Sequence, residues 1–164
     1  MPPRRKPSPR QLIKALTRRV ARDEAAEAKK SLAAFVRLFW PVIEPGVGLV
    51  WGKHLDAVCL HLEAVTRGEI RKLAIAIPPG HMKSLCVSVF WPAWVWASNP
   101  GWRAIFASYA GELAIRDSVR CRAVIESDAY QQAYCAQGGW ALASDQNVKS
   151  YFKNTMRGER MCLS

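Results

Sequence analysis

The sequence lacks a long apolar run. Its longest nearly apolar stretch, residues 85–97, is too short to span a bilayer and is broken by Pro92. No secretion signal is recognisable, because the basic start MPPRRKPSPR is not followed by an apolar core. There is no C-x-x-C pair. The five cysteines, at positions 59, 86, 121, 135 and 162, are odd in number and match neither a disulfide framework nor a zinc site. Free thiols in a reducing cytosol are the expectation. Only three histidines occur, and His54, His61 and His81 lack a metal-ligand pattern. His54 and His61, one heptad apart, read as packing or surface residues of one helix. No internal repeat is evident. The first 22 residues contain no acidic side chain.

What is present fits one domain. The 164 residues are 50 % apolar and 23 % charged, which excludes a disordered polymer or a collagen-like repeat and leaves enough apolar surface for a core. The net charge is +11, from 24 Lys and Arg against 13 Asp and Glu. Residues 1–30 carry +7 of it. A polyanionic partner, most commonly nucleic acid, follows from that distribution. The alternative is a solvated basic tail.

Along the chain, residues 1–10 hold four prolines, at 2, 3, 7 and 9, and no element is expected to start before them. Residues 11–39 read as helical, from the fourfold spacing of Leu12, Leu16 and Val20 and the stripe Leu32, Phe35, Val36 and Phe39. Pro41 is expected to close that segment, and residues 41–52 read as a loop. A helix is expected over residues 53–66 on Leu55, Val58, Leu62 and Val65, with Gly68 as its left-handed stop. Residues 73–77 (LAIAI) are apolar on both faces and predict a central strand of a parallel sheet. A loop over 78–82 precedes Lys83, Ser84 and an apolar helix to about residue 97, kinked or shifted by Pro92. A strand over 103–108, a helix over 111–127, and short strands near 150–152 and 161–163 complete an α/β pattern.

The stretch LAIAIPPGHMKSLCVSVF carries the chemistry. A strand, a short loop, Lys-Ser and a helix form the setting of a phosphate-binding loop. The first N–H groups of a helix have no intrahelical partner, and the helix dipole adds partial positive charge there. Together they suit the β-phosphate of a nucleotide. Lys83 would place a charge near the β- and γ-phosphates, and Ser84 would offer a hydroxyl to Mg²⁺. The spacing G-x-x-x-x-G-K-[ST] is not met: only Lys83 and Ser84 match, Gly80 is displaced, and Met82 and Ile77 stand at the glycine positions. The alternative is a Lys-Ser helix start capped by a Pro-Pro-Gly turn with no ligand.

PPGHMKS, after a strand and before an aromatic-rich helix, resembles the variant Walker A of tailed-bacteriophage terminase large subunits. SLAAFVRLFWPVIEP resembles that family's entry region. WGKHLDAVCLHLEAVTRGEIRKLAIAIPPGHMKS resembles its helix and strand leading into the loop. FASYAGELAIRDSVRCRAVIESDAYQ is similar to its next strand and helix, and FKNTMRGERM to the strand pair before its Walker B strand. The likeness covers residues 31–164, with the blocks in family order. It implies an α/β fold, a partial P-loop NTPase whose parallel sheet is flanked by helices, with residues 1–30 as a basic helical arm. It implies the ATP-binding part of a motor that couples ATP hydrolysis to moving double-stranded DNA into a procapsid. Pro79, Gly80, His81, Met82, Lys83, Ser84 and Leu85 would hold ATP, with Lys83 in the catalytic role and Ser84 on Mg²⁺. Implied partners are double-stranded DNA, the small terminase subunit, the portal protein and further copies in a ring. The implied location is the host cytoplasm, outside the virion.

Two departures accompany the likeness. Many relatives carry Arg where Gly80 stands, and Met82 replaces a Gly, making positive φ less accessible. No apolar strand ending in an acidic pair follows the loop. The nearest acid, Asp145, is preceded by Ser144 and lies in the wrong place. The chain therefore reads as an N-terminal part of such a subunit, ending before Walker B and lacking the nuclease carboxylates. A DNA-binding prophage remnant without catalysis and a helicase-type ATPase fragment are the alternatives. Trp91, Trp94 and Trp96 read as core packing, or as a stacking surface for adenine or DNA bases. Trp51 and His54 are candidates for the adenine edge. Arg116, Arg120 and Arg122 read as solvated, or paired with Asp117 and Glu126, with an arginine finger acting on a neighbouring subunit as the alternative.

Overall fold

The computed structural model describes residues 8–144 and 147–163. Residues 1–7 of the basic arm, Asp145, Gln146 and Ser164 lie outside the described residues. The architecture is mixed α/β, mostly helical, with one small sheet.

The expected single helical run over 11–39 is two helices, α1 (Pro9–Lys30) and α2 (Leu32–Ile43). Helix α1 opens on a capping box, in which Ser8 accepts from the Gln11 N–H and the Gln11 side chain accepts from the Ser8 N–H. Pro9 sits in the first turn, where its missing N–H costs nothing. The break falls at Ser31, whose backbone is extended and whose hydroxyl caps α2 at the Ala34 N–H. The buried Glu63 carboxylate adds a second cap, accepting from the Leu32 N–H at 2.6 Å. Pro41 does not end α2; it lies in the last turn, and the helix runs on to Ile43. Helix α3 (Lys53–Thr66) has the expected bounds. Gly68 follows it at φ +79°, its N–H donating to the Val65 carbonyl at 3.0 Å.

The centre of the molecule is the helix after the loop. It begins at Lys83, passes through a π-helical segment (Leu85–Phe90), and continues as α4 (Trp91–Ser98). Cys86, Val89, Phe90 and every residue from Pro92 to Ala97 are buried. A helix apolar all round must be covered on every side. Helices α2, α3 and α5 (Gly111–Glu126) pack on the π-helical segment, and α1, α2 and α5 on α4. The three tryptophans take the packing role. Trp94 donates to the Ala28 carbonyl at 3.0 Å, Trp96 to the Trp102 carbonyl at 2.9 Å, and Trp91 to the Thr66 hydroxyl at 2.8 Å.

The sheet has the order β1 (Arg103–Ala107), β3 (Glu159–Leu163), β2 (Tyr151–Lys153). Strands β1 and β3 are parallel, β2 and β3 antiparallel, so the sheet is mixed rather than wholly parallel. Residues 73–77, expected as a central strand, form no strand among the described residues. They take no regular secondary structure, with Leu73, Ile75 and Ile77 half-buried against the core and Ala74 and Ala76 exposed. Apolar content drove the expectation, but a strand exists only where a neighbour supplies hydrogen bonds.

Arg160 ties the sheet to the central helix. Its guanidinium is buried over the Phe106 ring at 4.4 Å, and its Nη2 donates to the Ser88 carbonyl at 2.9 Å. Ser88 stands four residues before Pro92, so an α-helix would leave this carbonyl without a donor. The five cysteines are all free and buried. Burial pushes the Cys121 thiol up to about 11 and the Cys135 thiol up to about 12, so both stay protonated and inert at neutral pH.

The turn between β2 and β3 depends on Asn154 and Gly158. The Asn154 amide donates to the Pro100 carbonyl at 2.7 Å, and its oxygen accepts from the N–H groups of Met156 and Gly158, each at 2.9 Å. A Cβ on Gly158 would stand 2.0 Å from the Pro100 carbonyl oxygen. Because that obstacle is backbone, Gly158→Ala is expected to cost about 2 kcal/mol or more in urea unfolding. An unchanged midpoint would refute this packing.

Candidate functional site

The loop over 78–82 joins the segment over 73–77 to the start of the central helix. Its shape comes from two left-handed residues. Gly80 adopts φ +83°, which costs glycine nothing. Met82 adopts φ +59°, which a residue with a Cβ takes at a cost of about 1–2 kcal/mol. The substitution of Met for Gly was expected to disfavour this conformation; the backbone holds it nonetheless. Met82 packs partly buried against the core, and its carbonyl accepts the first helical hydrogen bond, from the Cys86 N–H at 2.9 Å. The N–H groups of Lys83, Ser84 and Leu85 precede that bond and have no intrahelical acceptor.

An open cavity of about 590 Å³ adjoins the loop. All seven residues named from the sequence, Pro79, Gly80, His81, Met82, Lys83, Ser84 and Leu85, line it. So do Ile77, Pro78, Trp40 of α2, and Arg116 and Arg120 of α5. None of these residues is acidic. Lys83 is half-buried and forms no ion pair among the described residues, while the Ser84 side chain is exposed. His81 turns back on the loop, its Nδ1 3.0 Å from the Pro79 carbonyl oxygen, and its ring lies 5.4 Å from that of His54. Beneath the loop's helix, the Cys59 thiol is held above the ordinary thiol range by a hydrogen bond with Cys86 and by burial.

The other sequence candidates divide. Trp51 does not line the cavity; it lies under the Arg37 guanidinium at 3.9 Å and donates to Asp56 at 2.8 Å. His54 reaches the site only through His81. His61 faces away, its Nδ1 2.7 Å from the Ala57 carbonyl oxygen. Arg116 pairs with Asp117 at 2.8 Å and Arg122 with Glu126 at 3.4 Å, the partners expected on the helix face. Arg120 instead reaches Glu44 at the end of α2, at 3.3 Å. Trp40 and Glu44 carried no sequence signal as site residues. Their position follows from how α2 packs on α5, which local pattern does not encode.

Chemically, the arrangement is an anion receiver. Free amides, one ammonium and two guanidinium groups border one cavity, and no carboxylate among its lining residues opposes them. Its charge suits an anionic group. It offers no general base among its lining residues beyond His81. In comparisons with protein-family models, curated proteins and solved structures, nothing matches this chain.

The left-handed turn at Met82 makes a direct prediction. Met82→Gly removes the backbone cost but adds chain entropy and loses packing, so its stability should stay within about 1 kcal/mol of the parent. Met82→Val places a β-branched residue at positive φ and should lose clearly more. Equal urea midpoints for the two variants would show that the turn is not left-handed.

Proposed function

We propose that the chain binds ATP with Mg²⁺ in the cavity around residues 78–85, as the nucleotide-binding part of a DNA-packaging motor. One observation carries this reading: the Lys83 ammonium, without an ion pair among the described residues, and the amides at the start of the central helix border a cavity with no acidic residue among its described lining residues. The motor class rests on the resemblance of residues 31–164 to tailed-bacteriophage terminase large subunits. On this reading the loop and helix belong to a P-loop ATPase domain, and double-stranded DNA, a small terminase subunit, a portal and further copies of the chain are its partners.

Within the site, Lys83 neutralises the β- and γ-phosphates and the amides of Lys83 to Leu85 receive the β-phosphate. Ser84 is the one hydroxyl among the described lining residues that would reach a phosphate-bound Mg²⁺, and no acidic lining residue would join it there. Bound Mg²⁺ would neutralise charge on the phosphate chain. The carboxylate that hydrolysis needs is not among the lining residues, so this reading assigns the described residues to binding and positioning. Lys83→Ala is expected to weaken ATP binding by roughly a hundredfold in calorimetric titration of the full chain with Mg²⁺ present. Equal affinity in the variant would overturn the assignment.

A second reading, DNA binding through the basic arm, is favoured by helix α1. Leu12, Ile13, Leu16 and Val20 are all exposed, and Arg10, Lys14, Arg18, Arg19 and Arg22 share the helix with no acid before Asp23. Phosphate contacts from such a helix release counterions, so DNA retention should fall linearly in log salt. Deleting residues 1–21 spares Ala25 and Ala28, which are buried in the core, and should remove most of that salt dependence. Retention with an unchanged slope would exclude the arm as the DNA contact.

A further inference from the structure

Two arginines of α5 stand beside the same cavity, and their carboxylate partners differ in kind. Arg116 and Arg120 are one helical turn apart, on one face of the helix. Arg116 is held at two points: its Nε and Nη2 both donate to Asp117 Oδ1, at 2.9 and 2.8 Å; the Asp117 side chain is only 8 % exposed, although that of Arg116 is 48 % exposed. Arg120 is held loosely. It makes a single 3.3 Å contact with Glu44, both side chains being about one-third exposed, at 35 % and 34 %. A one-point pair in partial solvent is weak and easily exchanged for a better anion. A terminal phosphate offers more charge and three acceptor oxygens, which a guanidinium engages in two-point fashion.

We propose that Arg120 is a movable phosphate ligand of this chain's own cavity. It rests on Glu44 in the empty site and transfers to the terminal phosphate of a bound nucleoside triphosphate. Arg116, fixed by Asp117, stays behind as a stationary positive charge. Glu44 competes with the ligand for the same guanidinium, so it sets how strongly the site favours a triphosphate over a diphosphate. The inference rests on the cavity being a nucleotide site, and it adds the identity and resting state of the group that reads the last phosphate. It requires no neighbouring subunit, because both arginines already border the loop of the same chain.

The test is calorimetric titration of the full chain with ATP and with ADP, each with Mg²⁺, for the parent and for Arg120→Ala, Arg120→Lys, Glu44→Gln and Lys83→Ala. Arg120→Ala should weaken ATP roughly tenfold to hundredfold and ADP by less than about threefold. Arg120→Lys, which keeps the charge and guards against a folding defect, should recover part of the ATP affinity but not the full discrimination. Glu44→Gln frees the guanidinium and should tighten ATP severalfold with little change for ADP. Equal losses for ATP and ADP in Arg120→Ala, no loss at all, or weaker ATP binding in Glu44→Gln would each overturn the proposal. If Lys83→Ala abolishes binding while every Arg120 and Glu44 variant matches the parent, the nucleotide site stands and only the role of Arg120 falls. If the parent chain binds neither nucleotide, both fall together.

Discussion

The structure depends on one constraint: beyond its first turn, the helix that follows the loop is apolar from residue 85 to residue 97 apart from Ser88. Cys86, Val89, Phe90 and the run from Pro92 to Ala97 are all buried, so no side of it can be left to water. Burying a side chain the size of Val89 or Phe90 contributes about 1.5–3 kcal/mol, and the gain is collected only if several elements converge on the same rod. Helices α1, α2, α3 and α5 and the Arg160 side chain of β3 do so. Because the helix is gripped along its length, its first turn cannot drift. The loop at that turn is positioned by packing many residues away from it.

That grip explains how a strained loop survives. A methionine at φ +59° is unfavourable in isolation. Here its side chain packs against the core and its carbonyl starts the helix, through the Cys86 N–H. Residues on both sides over-determine the bend. The π-helical segment is accommodated by a similar exchange. Pro92 removes one donor, and Arg160 supplies another to the Ser88 carbonyl from the sheet. The same side chain that repairs the helix fixes the sheet against it. A buried guanidinium with no carboxylate partner among the described residues is expensive; its Nε finds no hydrogen-bond acceptor among them, and two hydrogen bonds from its other nitrogens and the Phe106 face offset part of the cost.

Local signals were legible where local physics decides. The bounds of α3 and the left-handed Gly68 follow from a four-residue stripe and a stop residue, and both are observed. The packing role of Trp94 and Trp96 follows from their place on an apolar helix. The break at Ser31 was not legible, since the Glu63 carboxylate that helps cap α2 lies 31 positions beyond the Leu32 N–H it accepts from. The strand expected over residues 73–77 failed for a related reason: apolar content marks a segment that wants burial, while a ladder also needs a partner. At the site, the loop residues could be named from their order. Trp40, Glu44 and the side of the loop on which Arg116 and Arg120 stand could not, because they are set by the packing of α2 on α5.

On the proposed reading, the charge layout separates two tasks that a nucleotide site must perform. Holding a phosphate chain requires fixed positive groups, and these come from the helix start, Lys83 and α5. Activating water requires a carboxylate close to the terminal phosphate, and such a group placed among these cations would partly cancel them. Glu44 and Asp117 mark the compromise. Each is paired with an arginine that borders the cavity, yet neither borders it directly. They temper the arginines without presenting negative charge to the ligand. On that reading, the site would draw affinity for anions from its interior and selectivity among them from its rim, where the singly contacted Arg120 guanidinium stands.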